Sequence, residues 1–81
     1  MNISFNRVTT EPLVWITELF SSTDKREYMA LVSQYLYKYQ IKATLSTISG
    51  SGLTSIKVRL TNEEDEAMFI LYKSVFMFKR K

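Results

Sequence analysis

Lys42, Lys57 and Arg59 are the residues whose types and spacing first suggest chemistry. Each sits at a polar position of a stretch in which apolar and polar side chains alternate, and the hydroxyls of Thr44, Ser46 and Ser55 share that side. Cations beside neutral hydroxyls are the mixture that holds phosphates, with charge giving affinity and hydroxyls giving position. The same mixture suits an acidic protein surface. It also has a plainer meaning, a solvated strand face whose lysines discourage aggregation. Arg7 adds to the patch if the first strand joins the sheet, and Lys79 and Arg80 extend it from the far end of the chain.

Other chemistry is poorly served. There is no histidine and no cysteine, so the usual neutral-pH base and the usual thiol nucleophile are both missing. No nucleophile elbow, phosphate-binding loop or S-x-x-K arrangement occurs. Gly50-Ser51-Gly52 lies in a hairpin rather than ahead of a helix. Four adjacent carboxylates, Glu63 to Glu66, point around a helix axis and do not converge on one ion. They read instead as a solvated first helical turn complementing the helix dipole. The expectation is a protein that binds, with no catalytic residues, no cofactor or metal and no small-molecule substrate.

The elements that would position the cations centre on a hairpin. Residues 41–48 and 53–60 flank Ser49-Gly50-Ser51-Gly52, a turn signal. A loop centred there puts Ile41 opposite Leu60, Ala43 opposite Val58 and Leu45 opposite Ile56 on an apolar side. Lys42 then faces Arg59, Thr44 faces Lys57 and Ser46 faces Ser55 on the other, with register held because a one-residue slip would turn the apolar set outward.

Around the hairpin, Asn2 to Val8 reads as a short half-buried strand. Thr9-Thr10-Glu11-Pro12 reads as a helix start, with Leu13, Ile16, Leu19 and Phe20 at helical spacing, although residues 13–20 also suit a strand. An amphipathic helix is predicted over 24–39, presenting Tyr28, Leu31, Val32, Tyr35 and Tyr39 on one face, with Leu36 at its edge, and Arg26, Ser33 and Tyr37 opposite. A last helix starts at Thr61-Asn62-Glu63-Glu64, a capping pattern, and runs through Val75. Residues 75–79 either continue that helix or form a final strand. The fold expected is α+β, an antiparallel sheet with helices on one face, ferredoxin-like or a relative.

The last segment carries more apolar residues than one helix face can bury in a chain of 81 residues. Phe69, Phe76 and Met77 are left over, and an exposed apolar patch marks a protein interface. A homodimer or a partner protein would cover it, unless residues past Ser74 are themselves buried.

At 81 residues, 46% hydrophobic and with only two Gly and one Pro, the chain makes one folded domain, 1–81, rather than a disordered tail. The longest apolar run, Ala67 to Tyr72, is too short to span a bilayer, and the first residues do not form a secretion signal. No membrane partner is therefore expected, and a reducing cytoplasm fits a cysteine-free chain. The net charge of +3 permits a polyanionic or acidic partner without requiring one.

The run from Ser55 to Phe69 (Ser55-Ile56-Lys57-Val58-Arg59-Leu60-Thr61-Asn62-Glu63-Glu64-Asp65-Glu66-Ala67-Met68-Phe69) resembles the strand-to-acidic-helix passage of RNA-recognition-motif domains. It also looks like the closing segments of small accessory proteins of tailed phages. It departs from the first at the base-stacking positions, where Lys57 and Arg59 stand in place of aromatics. The second resemblance implies a small regulator or inhibitor that binds a host macromolecule. Direct RNA or DNA binding through phosphate contacts is the alternative.

Overall fold

Ser51 and Gly52 make the turn that organises the sheet. Both have left-handed backbones, with φ of 54° and 77°. A pair of positive φ angles is the mark of the type I′ turn, whose twist matches that of the strands it joins. The computed structural model describes residues 4–73. In it this two-residue turn joins β4 (Ala43–Gly50) to β5 (Leu53–Leu60), after β1 (Phe5–Arg7), β2 (Val14–Thr17), β3 (Phe20–Ser21), a 3₁₀ turn at Ser22–Asp24 and α1 (Lys25–Lys38). Helix α2 (Glu63–Tyr72) follows β5.

The five strands form one antiparallel sheet. β5 is its centre. One side of β5 pairs with β4, and the other pairs with β2 and then, nearer the turn, with β3, while β1 adds beyond β2. The gap between β2 and β3 is bridged by a side chain, since the Ile56 N–H donates to Thr17 Oγ1 at 2.9 Å. A second side-chain network ties the hairpin tip to the start of α1. The buried Thr54 hydroxyl shares hydrogen bonds with Ser22 (2.7 Å) and Ser49 (2.9 Å), and the Ser22 N–H donates to the Gly52 carbonyl.

Both helices lie on one face of the sheet, as the α+β reading requires. Strand partners share a face. Phe5, Trp15, Ile56, Val58 and Leu60 therefore point to the same side, where they form the core with Tyr28, Val32 and Leu36 of α1 and Phe69 of α2. The buried line of α1 is 28-32-36, so Leu36 is at the centre of the stripe rather than at its edge, with Leu31, Tyr35 and Tyr39 flanking it half-buried. Tyr37 is fully turned to solvent, as the helical spacing predicts. The ends of the two helices are joined by stacking of Tyr39 on Tyr72, with ring centroids 4.2 Å apart.

α1 closes with two Schellman hydrogen bonds, Ile41 N–H to the Leu36 carbonyl at 2.8 Å and Gln40 N–H to the Tyr37 carbonyl at 3.1 Å. Ile41 and Leu36 then meet in the core, the apolar contact that accompanies this cap. Gln40 carries it with φ of 56°, a conformation that disfavours any residue with a Cβ. Gln40→Gly should accordingly raise stability by roughly 0.5–1 kcal/mol, the relief of left-handed strain less the added chain entropy of glycine. An upward shift of the urea midpoint with unchanged slope checks it; a lower midpoint would mean that the Gln40 side chain itself contributes.

Of the two readings open for residues 13–20 the structure takes the strand, as β2 over 14–17 and the start of β3 at Phe20, and the helix start expected at Thr9-Thr10-Glu11-Pro12 does not form. Leu13 has φ of 62°, which no helix accommodates, and Val14, Trp15, Ile16 and Thr17 are residues favoured on a pleated surface. Pro12 sits in the β1–β2 turn, closed by the Val8 N–H donating to Val14. The hairpin register also differs from the predicted one by two residues. Ala43 pairs with Leu60, Leu45 with Val58 and Thr47 with Ile56, because the turn takes only Ser51-Gly52. A slip of two keeps every side chain on its face. The apolar and polar sides are thus as expected, while each cross-strand partner is different. Ile41 is buried as the last residue of the helix cap, not as a strand residue.

Candidate binding surface

The helix-free face of the sheet carries Lys57 and Arg59 on β5, with Thr44 and Ser46 on β4 directly opposite them, Arg59 facing Thr44 and Lys57 facing Ser46. Toward the hairpin tip the same face carries Ile48, Leu53 and Ser55, and toward β2 it carries Val14 and Ile16. Ile48 and Leu53 are exposed. Val14 and Trp15 are both buried although successive strand residues point to opposite faces, so β2 is covered on each side.

The cations are not free. The β1–β2 turn brings Glu11 over this face, where Oε2 lies 3.0 Å from Lys57 Nζ and 3.5 Å from Arg59 Nη2. One carboxylate thus holds two cations. Its hydrogen bond from the Lys57 ammonium, with the charges of Lys57 and then Arg59, holds the Glu11 carboxyl below its ordinary value against a smaller opposing effect of desolvation. A lowered carboxyl pKa means that the folded state binds this proton less readily than the unfolded chain does. Glu11 therefore contributes stability that is complete above the ordinary glutamate pKa and disappears as pH falls through the lowered one. The stability difference between wild type and Glu11→Gln should follow that course, and the carboxyl carbon of Glu11, followed by NMR, should titrate at higher pH in Lys57→Ala. An unchanged midpoint would show that the pair is not formed in solution.

The seven cation-face candidates separate in the structure. Lys57, Arg59 and Thr44 lie together on the helix-free face. Lys42 does not pair with Arg59; it precedes β4, and its N–H donates to Asp65 Oδ1 at 3.2 Å. Arg7 is on the opposite face. It is the strand partner of Trp15, and its guanidinium lies 3.9 Å from Glu66 Oε1. Lys79 and Arg80 lie outside the described residues.

Of the three interface candidates, Phe69 is corrected and Phe76 and Met77 lie outside the described residues. Phe69 is wholly buried, edge-on to Phe5 at 5.2 Å and tilted against Trp15 at 5.6 Å. It is a keystone of the core and offers no exposed surface for a partner to cover. The large apolar residues that α2 does expose are Met68, Ile70 and Leu71.

The acidic run divides in a way its spacing did not announce. Asn62 caps α2, its side chain accepting the Asp65 N–H at 2.9 Å. Glu63 and Glu64 are exposed, but Glu66 is buried and accepts the Trp15 Nε1–H at 3.1 Å. Lys73 Nζ lies over that indole, 5.1 Å from the ring centroid. Glu66, Phe69 and Lys73 are three and then four residues apart, the spacing of one helix face, and that was the signal available for Glu66. Glu11 gave none, because its partners are far along the chain.

Among the described residues no group of His, Cys, Asp or Glu is arranged to hold a metal ion, and no helix is long and apolar enough to cross a membrane. Fold and surface together define a small α+β protein whose antiparallel sheet, among the described residues, is covered by helices on one side only. Comparison with family models, with curated proteins and with solved structures found no match.

Proposed function

We propose that this chain is a non-enzymatic binding protein, a small cytoplasmic regulator or inhibitor that engages a protein partner with the helix-free face of its sheet. The observation that supports this reading is the mixture on that face. Exposed Ile48 and Leu53 stand beside Thr44, Ser46 and the Glu11-braced pair Lys57 and Arg59. Apolar residues next to oriented polar groups are the composition of a protein contact. The resemblance of residues 55–69 to phage accessory proteins points the same way, toward a host macromolecule as the partner.

Direct RNA or DNA binding is the second reading, favoured by the net charge of +3. It has less support on this face, where Glu11 offsets one of two cations and Arg7 and Lys42 are elsewhere. Phosphate-driven binding draws its strength from several unpaired cations and weakens steeply with salt.

Capture from a bacterial lysate, with and without nuclease, distinguishes the readings. A nuclease-resistant partner should be retained by wild type. The paired variants Ile48→Ser with Leu53→Ser, and Lys57→Ser with Arg59→Ser, should each bind it at least tenfold more weakly while keeping a cooperative urea transition, the second at a slightly lower midpoint because it gives up the ion pairs with Glu11. Loss of the partner on nuclease treatment would favour the nucleic-acid reading. Undiminished binding by both variants would remove this face from consideration.

A further inference from the structure

Among the described residues β4 leaves one edge of the sheet open, and its chemistry is unusual for an edge. Among the described residues it pairs with β5 alone. The ladder continues one step beyond the strand, where the Thr61 N–H donates to the Lys42 carbonyl at 3.1 Å. In an antiparallel ladder the residues that exchange such bonds alternate. Thr44, Ser46 and Ile48 therefore direct their N–H and C=O groups toward β5, while Ala43, Leu45, Thr47 and Ser49 direct theirs outward. The backbone of β5 agrees, since the Leu60 and Ile56 N–H groups point the opposite way, to Leu13 and Thr17.

Proteins usually blunt such an edge with Lys, Pro, a bulge or a very short strand. β4 has none of these: it spans eight residues, Ala-Thr-Leu-Ser-Thr-Ile-Ser-Gly, with no charge and an unbroken register. We infer that the β4 edge is the contact between two copies of this chain, which pair β4 with β4 antiparallel about a two-fold axis through Ser46. The outward groups are self-complementary in that arrangement: Ala43 meets Ser49 of the second copy and Leu45 meets Thr47, each pair offering a donor and an acceptor both ways. Because residues of equal parity meet, the two sheets join with all four helices on the same face. The half-buried Leu45 and Thr47 become interior there. Charge fits a second copy better than a foreign strand. A chain of net charge +3 meets itself here across a strip with no charged side chain, where neither repulsion nor a complementary charge on a partner is needed. The contact runs along the edge that borders the helix-free face, so two such faces would be displayed side by side.

Amide exchange and sedimentation test it on the full chain. The amides of Leu45, Thr47 and Ser49 should gain protection of tenfold or more as protein concentration rises, while those of Thr44, Ser46 and Ile48 are protected throughout, and the sedimenting species should double in mass. Thr47→Pro deletes an outward N–H at a position where an edge strand tolerates proline, and should weaken dimerisation at least tenfold. Ser46→Glu serves as a second variant. It sits opposite Lys57 within the copy, which favours the fold, and opposite its own equivalent across the two-fold, which opposes pairing. A monomer at every concentration overturns the inference. So does protection of the outward amides that is independent of concentration, or a dimer that Thr47→Pro and Ser46→Glu both leave intact.

Discussion

Phe69→Ala is expected to cost about 3–5 kcal/mol, the usual penalty for truncating a buried aromatic ring. A chain of this length has only about 4–12 kcal/mol of stability in total. The variant should therefore unfold at markedly lower urea, or be partly unfolded without any. The reason is its position. Phe69 joins α2 to β1 and β2 through its contacts with Phe5 and Trp15, and no other residue of α2 is both apolar and fully buried. Surrounding side chains collapse poorly into a space left between a helix and a sheet, so the upper part of the range applies. Phe69→Leu keeps most of the volume and should cost clearly less. Equal midpoints for wild type and Phe69→Ala would contradict the packing described. The same measurement separates two roles for this residue, since an interface residue would change binding and leave the midpoint alone.

The second large effect concerns Glu66. Glu66→Ala removes the acceptor of the Trp15 Nε1–H and leaves that buried donor without its partner, at a cost of about 1–3 kcal/mol. Glu66→Gln retains an oxygen acceptor and gives up the ion pair with Arg7. Because the Arg7 guanidinium is largely exposed, that loss is small, and Glu66→Gln should fall between wild type and Glu66→Ala. The chain has a single tryptophan, so its emission reports this site directly. A shift of native-state emission in Glu66→Ala with little shift in Glu66→Gln is the expected pattern. Indistinguishable spectra and midpoints for all three proteins would show that the hydrogen bond contributes nothing.

The sequence made some of this legible and hid the rest for physical reasons. Alternation over β4 and β5, punctuated by glycine, is a local signal, and it located the hairpin and its faces. The register it suggested was off by two, because Ser49-Gly50-Ser51-Gly52 offers two glycines and either loop keeps the apolar residues inward. Residues 13–20 stayed open between helix and strand because Leu13, Ile16, Leu19 and Phe20 happen to fall at helical spacing. What decides their conformation is the need of β5 for a partner on its second side, which is a tertiary demand. In α2 the run from Ala67 to Tyr72 is apolar on every side, so no stripe stands out, and only the cross-chain contacts of Phe69 and Glu66 identify the inner one. The cation face was legible for Lys57, Arg59 and Thr44, whose parity the hairpin fixes. Arg7 went to the other face by the same parity rule once β1 was paired through Trp15. The clamp by Glu11 depends on a turn meeting a strand far along the chain, and nothing near Glu11 foretells it.

The central place of β5 has a consequence for how the molecule is made. During synthesis, Phe5 to Ser21 leaves the ribosome long before the strand against which most of it will lie. Those residues emerge as ribbons with no seat, and β1 and β2 alone form the kind of isolated hairpin that is marginal in water. The tight turn at Ser51-Gly52 closes a loop at little entropic cost, so the late-made hairpin is expected to nucleate, with the early-made strands zipping onto it afterwards. Substitutions in β4 and β5 should then slow folding, whereas Phe5→Leu should mainly hasten unfolding. Birth order and assembly order would run in opposite directions along this chain.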